Sequence, residues 1–210
     1  MADAITPSLR ERHKREKFDA IRDAAQRLFV TKGFDNTTTR EIAKLADVGI
    51  GTVFSYAADK RDLLFLIVNE DVIQAIATGK EQADQAADFA GAVVACFSQL
   101  YVMLAEDPQR SRLMIKEFNF ENVNNLGPHT RRFELIRQSL IENVAAVVKQ
   151  ALAKGEIHSP EDPDFIGMTF FSIYQSEIRR WLMNDNPDAN EGIRSLRRAV
   201  KLLISGLQPQ

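Results

Sequence analysis

Apolar residues recur along almost the whole chain at spacings of three and four, the period of helices that bury one face. Over 12–32, Phe18, Ile21, Ala25, Leu28 and Phe29 share a face, and Gly33 follows where a C-terminal cap belongs. "TTTREIAKLA" sets Thr38 three residues before Glu41, a capping-box spacing, ahead of an apolar stripe of Ile42, Leu45 and Ala46. Asp59 can cap a further helix holding Leu63, Leu64, Ile67, Val68 and Val72, expected to reach residue 78. Five more helices are predicted over 83–106, 108–120, 128–154, 163–184 and 189–207. Asp107-Pro108, Asn124-Asn125-Leu126-Gly127-Pro128, Lys154-Gly155, Pro160 with Pro163, and Asn186-Pro187 mark the breaks. No segment alternates as a strand does, and no repeat or low-complexity tract interrupts the pattern. The predicted fold class is all-α.

One stretch resists a plain helical reading: "LADVGIGTVFSYAADK", residues 45–60. A glycine inside a helix costs about 1 kcal/mol relative to alanine, yet Gly49 and Gly51 both sit here. Two short helices separated by about three residues describe a helix-turn-helix. In that arrangement Val48 packs under the turn, while Val53 and Ala57 face Ala43 and Ile42 of the preceding helix. Ile50, Gly51, Thr52 and Ser55 then point outward. An outward glycine on a helix that enters the major groove lets the backbone approach phosphates and base edges. Taken alone, the stretch fits a ligand-free helical hairpin about equally well. Its surroundings favour DNA: Thr38 and Thr39 begin one helix and Lys60 begins another, both places where phosphate finds free backbone N–H groups. Upstream, "RERHKREK" (residues 10–17) is basic, although a lone charge run is more often a solvated helix start.

Composition narrows the classes. The chain has 210 residues, 45% hydrophobic and 27% charged, enough for one large domain or a small one fused to a larger. Of its 27 Lys/Arg and 29 Asp/Glu, residues 1–61 hold 12 and 9, and the remainder 15 and 20, so one end leans basic. The single cysteine, Cys96, and the absence of an apolar N-terminal run predict a cytoplasmic protein. The longest apolar run, 89–105, contains Gly91, Ser98 and Gln99 and falls short of the roughly 20 residues a bilayer needs. It reads as a buried helix, with no membrane partner. His13, His129 and His158 share no ligand spacing, so no metal or cofactor is expected. "GIGT" lacks the strand and the remaining glycines of a phosphate loop, and no Ser or Cys has a nucleophile context, so the expectation is not an enzyme.

The residues that carry these signals resemble a known family. "TTTREIAKLADVGIGTVFSYAADKRDLL" resembles the DNA-binding signature of the tetracycline-repressor (TetR) family, and "AIRDAAQRLFVTKGF" its first helix and closing glycine; the likeness covers residues 18–66. It implies a three-helix DNA-binding domain over residues 1–58 and a helical ligand-binding and dimerisation domain over 59–210. By position, Thr38, Thr52 and Lys60 fall on backbone-contacting sites, and Arg40, Ile50, Gly51 and Ser55 on sites near bases or phosphates. Thr39, Phe54 and Tyr56 complete the expected DNA-facing set. The chain departs from the family pattern in having Asp47 for a glycine, Gly49 for a Ser/Thr cap, Phe54 for a frequent tyrosine and Ala57 for a frequent phenylalanine.

In the remainder, "FIGMTFFSIYQSEIRRWLMN" is apolar on two sides. Phe170, Tyr174, Ile178 and Trp181 form one row, and Phe171, Ile178 and Leu182 a second. The last helix adds Ile193, Leu196, Val200, Leu203, Ile204 and Leu207. The resemblance implies a homodimer built by these two helices, with Phe171, Ile178, Leu182, Leu196, Val200 and Leu203 as its interface. Paired heads read half-sites about 34–36 Å apart, hence a palindromic double-stranded operator. Phe97, Tyr101, Leu104, Met114, Phe118, Phe120, Phe170 and Tyr174 are candidates to line a pocket for a small, mainly apolar effector, with Gln99, Asn119 and Glu177 as polar anchors. Any one of them singly is more often ordinary core, and Glu177 reads first as the partner of Arg180. The expected function is a TetR-like transcriptional regulator, a repressor released from its operator by that effector. The alternatives are a DNA-binding dimer whose bundle docks a protein and, less favoured, a small helical enzyme.

Overall fold

The described residues of the computed structural model, 8–118 and 126–206, form nine helices. They are α1 (Leu9–Lys32), α2 (Thr39–Leu45), α3 (Ile50–Tyr56), α4 (Lys60–Asp84), α5 (Phe89–Glu106), α6 (Pro108–Glu117), α7 (Pro128–Lys154), α8 (Pro163–Leu182) and α9 (Ala189–Gly206). Local chemistry sets most of their ends. α1 begins earlier than its apolar pattern because Ser8 and Glu11 close a capping box. The Glu11 carboxylate accepts the Ser8 N–H at 2.8 Å and the Ser8 hydroxyl accepts the Glu11 N–H at 3.3 Å. Asp59 caps α4 by accepting the Asp62 N–H at 2.7 Å, and Asp88 caps α5 by accepting the Gly91 N–H at 2.6 Å.

The expected end of α4 at residue 78 is corrected: the helix runs to Asp84. Gly79 does not stop it. A β-carbon at Gly79 would stand 2.9 Å from the Ala95 carbonyl oxygen and 3.0 Å from that of Cys96, so the glycine is where α4 and α5 touch backbone to backbone. The helix expected to start at 83 accordingly starts at Phe89. Asn119, Phe120 and Leu207 lie outside the described residues.

The chain divides into two compact units, with the divisions falling inside α4 and α7. The first holds the described residues through Val68 together with 126–132; the second holds Asn69–Phe118 and the residues from Phe133 onward. In the first, α1, α2 and α3 pack around Ile21, Ala25, Ile42, Val53 and Leu63, all fully buried. In the second, α9 packs on α5 and α8. Its core is aromatic: Phe97 stacks on Tyr174 at 4.4 Å, Phe89 meets Phe170 edge-on at 5.8 Å, and Tyr101 meets Trp181 edge-on at 5.0 Å. α5 has the length and hydropathy of a candidate membrane span, yet eight of its side chains, Phe97 and Tyr101 among them, are buried in this core.

Candidate nucleic-acid interface and ligand cavity

α2 begins with the predicted capping box. The Thr38 N–H donates to Glu41 at 2.9 Å, and the Glu41 N–H donates to the Thr38 hydroxyl at 3.3 Å. Lys32 also pairs with Glu41, and this bond, with those from Thr38, holds the Glu41 carboxyl down to about 2. α2 ends in a Schellman turn: the Val48 N–H reaches the Ala43 carbonyl at 3.0 Å and the Asp47 N–H reaches that of Lys44 at 3.3 Å. That turn demands a left-handed residue, and Asp47 supplies it at φ +53°, the one described non-glycine residue with positive φ. The departure from glycine at 47 is thus accommodated by a residue type that tolerates this conformation. Gly49, extended at φ −66°, opens α3 without a side-chain cap.

α3 divides cleanly. Val53 and Ala57 are buried, as their spacing predicts, while Ile50 (38% exposed), Gly51, Phe54 (51% exposed) and Ser55 face outward in one stripe. A β-carbon at Gly51 would have nothing within 4 Å. The Ser55 hydroxyl turns back to the Thr52 carbonyl at 2.6 Å, and Thr52 is half-buried. Thr38 and Arg40 are exposed at the start of α2, with Thr39 half-buried between them. Tyr56 and Lys60 are engaged internally. The Tyr56 hydroxyl donates to the Lys14 carbonyl at 2.9 Å, and its ring meets Phe18 edge-on, tying α3 to the basic first turns of α1. The Lys60 ammonium donates to the Phe34 carbonyl at 2.6 Å and to that of Asp35 at 3.3 Å, and lies 4.4 Å from the centre of the Phe34 ring. The charges that remain outward along residues 10–17 are those of α1, in part paired locally, as Arg12 is with Glu16 at 3.9 Å.

The sequence reading missed the most polar buried site of this unit. Asp62 is 0% exposed. Its Oδ2 accepts the Ala58 N–H at 3.0 Å; its Oδ1 accepts the N–H groups of His129 and Thr130, at 2.9 and 2.8 Å, and the Thr130 hydroxyl at 3.0 Å. His129 Nε2 donates to the Tyr56 carbonyl at 2.9 Å. An acid in the first turn of a helix is an ordinary sequence feature, and partners nearly seventy residues away leave no local signal.

In the second unit a cavity of about 90 Å³ is lined by side chains of α4 to α8. Leu104, Met114, Phe118 and Tyr174, all expected in a pocket, line it. Phe97, Tyr101 and Phe170 do not; they are fully buried core. Burial pushes the phenols of Tyr174 and Tyr101 well above their usual range, so both rings serve as neutral packing groups. Glu177 is not in the lining either: it pairs with Arg180 and accepts the Ser195 hydroxyl at 2.8 Å. Gln99 donates to Gln82 at 3.3 Å. The residues expected at a dimer interface belong mostly to the chain's own interior: Phe171, Ile178, Leu182, Leu196 and Val200 are all buried, and Leu203 is half-buried. Phe171 and Ile178 line the cavity instead. Its unforeseen members include Phe133, Arg137 and Arg179. Arg137 donates to Glu134 at 3.1 Å, and its guanidinium lies 5.8 Å and 5.6 Å from the ring centres of Phe118 and Phe171.

Comparison with known proteins agrees with this geometry. Residues 21–67 match the model of the "Bacterial regulatory proteins, tetR family". The chain is 23% identical over 199 residues to the fatty acid metabolism regulator protein of Bacillus subtilis, covering 93% of this chain and 98% of that one. Among solved structures it resembles Bacillus subtilis FadR in complex with stearoyl-CoA, with TM-score 0.67 and 21% identity over 91% of this chain and 100% of that one. It also resembles Thermus thermophilus FadR in complex with lauroyl-CoA, with TM-score 0.62 and 24% identity over 92% and 96%. A capped helix-turn-helix with a bare outward stripe on its second helix, matched over this segment, identifies residues 21–67 as a DNA-binding domain of the kind found in the tetR family of bacterial regulatory proteins.

Proposed function

We propose that the protein is a homodimeric repressor that leaves a palindromic operator when an acyl-CoA thioester enters the cavity of the second unit. Residues 1–58 serve as the DNA-binding domain and 59–210 as the ligand-binding and dimerisation domain of a cytoplasmic regulator. The observation that carries the choice of effector is the chemistry of the cavity: an apolar lining that includes Leu100, Leu104 and Met114, with Arg137 and Arg179 also among the lining residues. An apolar chain with an anionic head suits both parts, and two proteins of the same fold are known with such thioesters.

Size supplies the switching principle. At about 90 Å³ the cavity is smaller than the roughly 150 Å³ apolar void that takes up benzene. A long acyl chain exceeds that volume, so enclosing it fully requires the surrounding helices to part. A ligand that needs the opened arrangement prefers it, and that preference is what lets it displace DNA by altering the spacing of two heads.

For the dimer, support comes from an exposed apolar set on α8 and α9: Phe165 (61% exposed), Met168 and Leu202 (77% exposed). Glu177 meets Ser195 while Trp181, one turn further along α8, meets Gly192 and the Asp188 carbonyl, so the two helices run antiparallel, which brings the start of α8 toward the end of α9. The same set would serve a bundle that docks another protein, and sedimentation of the purified chain separates the two, a dimer being expected.

The decisive experiment is footprinting on DNA flanking the protein's own coding region, followed by titration with lauroyl-CoA, laurate and CoA. Release by lauroyl-CoA at concentrations where neither fragment acts is the expected result. Arg137→Met should weaken lauroyl-CoA binding about tenfold while leaving operator affinity intact. Occupancy indifferent to all three compounds would remove the effector.

A further inference from the structure

We propose that Asp62 is a positioning residue that fastens the recognition helix to the N-terminus of α7 and thereby makes DNA reading answer to the cavity. The positioning half stands on the geometry of the first unit; the coupling half rests on the acyl-CoA reading above.

α3 has seven residues, too few to hold itself in place, so its direction is set by what it is tied to. On its inner side Val53 and Ala57 pack in the core. Its C-terminal end is held by polar bonds to a distant part of the chain. His129 takes the Tyr56 carbonyl, and Asp62 joins the Ala58 N–H to those of His129 and Thr130. The Asp62 carboxyl is wholly enclosed and accepts three N–H groups and a hydroxyl. Gly127 completes the fit: a β-carbon there would stand 2.3 Å from Asp62 Cγ, so the strand of chain entering α7 runs directly against the carboxyl.

A buried acceptor with this many donors tolerates one geometry, because a shift that breaks any of the bonds strands a polar group away from water. Phe133 and Arg137 follow Thr130 on the same helix by about one and two turns, and both line the cavity. A shift of α7 that admits a ligand would, because the helix is continuous, also act on the bonds at Asp62.

The test uses the full-length chain, the footprinted operator fragment, a scrambled fragment of equal length, and lauroyl-CoA. Asp62→Asn and Thr130→Val are compared with the wild type under conditions where circular dichroism shows native helicity. In Asp62→Asn the specific affinity should fall at least tenfold, with affinity for scrambled DNA, the salt slope and lauroyl-CoA affinity each within twofold. The residual operator complex should no longer dissociate with lauroyl-CoA. Thr130→Val should show the same pattern at about fivefold, and it carries the test if Asp62→Asn does not fold. A merely structural role would lower the melting temperature and leave the ratio of specific to scrambled affinity unchanged, and that ratio unchanged in folded variants overturns the proposal. A wild type that does not bind lauroyl-CoA overturns the coupling half with the effector reading, while the specificity ratio still decides the positioning half.

Discussion

Replacing Gly51 with leucine should strengthen the fold and destroy its function, a combination that few other readings of α3 produce. A β-carbon at Gly51 meets nothing within 4 Å, so the larger side chain enters without collision. Glycine is worse than leucine in a helix by about 0.8 kcal/mol, and the variant should gain roughly that much stability. The same side chain stands in the middle of the outward stripe of Ile50, Gly51, Phe54 and Ser55. If that stripe lies against a duplex, leucine holds the helix away from the groove and several contacts are lost together. A loss of two orders of magnitude in operator affinity, about 2.8 kcal/mol, is expected. Fluorescence anisotropy with a labelled operator reads the affinity, and urea unfolding followed by circular dichroism reads the stability. Gly51→Ala gives a graded control, with a similar stability gain and a smaller loss of binding. Undiminished operator binding by Gly51→Leu would show that α3 does not approach DNA closely. A drop in its urea midpoint would show that the space beside Gly51 is filled.

Other consequences are equally concrete. Lys60→Ala removes the donor to the Phe34 and Asp35 carbonyls, so it should cost about 1–2 kcal/mol of stability in urea as well as weakening DNA binding; lost affinity with an unchanged urea midpoint would free the ammonium from its internal role. Asp47→Gly relieves a left-handed residue at φ +53°, and despite the added freedom of the unfolded chain it should raise stability by about 0.5 kcal/mol; a clear loss would contradict the Schellman turn. Glu41 is held down to about 2, below its ordinary 4.5, by its bonds to Lys32 and Thr38. Its contribution is therefore complete above 4.5 and disappears as pH falls from there toward 2. The difference in urea midpoint between wild type and Glu41→Gln should shrink across that window, and a constant difference would mean that the carboxyl is not depressed.

The local sequence by itself determined the parts of this protein that depend on neighbours along the chain. Thr38 and Glu41 closed the expected box because their spacing is a property of one helical turn. Val53 and Ala57 went inward and Gly51 outward because residues four apart share a face. Periodicity says that a face is covered, not what covers it, and there the tertiary structure decided. Phe171 and Ile178 looked like interface residues and became cavity wall, while Phe97 and Phe170 looked like cavity wall and became core. The helix expected to reach residue 78 continued to Asp84, and Gly79 within it is a point of contact between two backbones. Lys60 and Tyr56 were expected in the DNA-facing set, and the fold gives their end groups internal partners as well, the carbonyl oxygens of Phe34 and Lys14. Asp62 is the extreme case, since three of its four bonds go to residues brought beside it only when the chain folds, and no local pattern encodes a partner that distant.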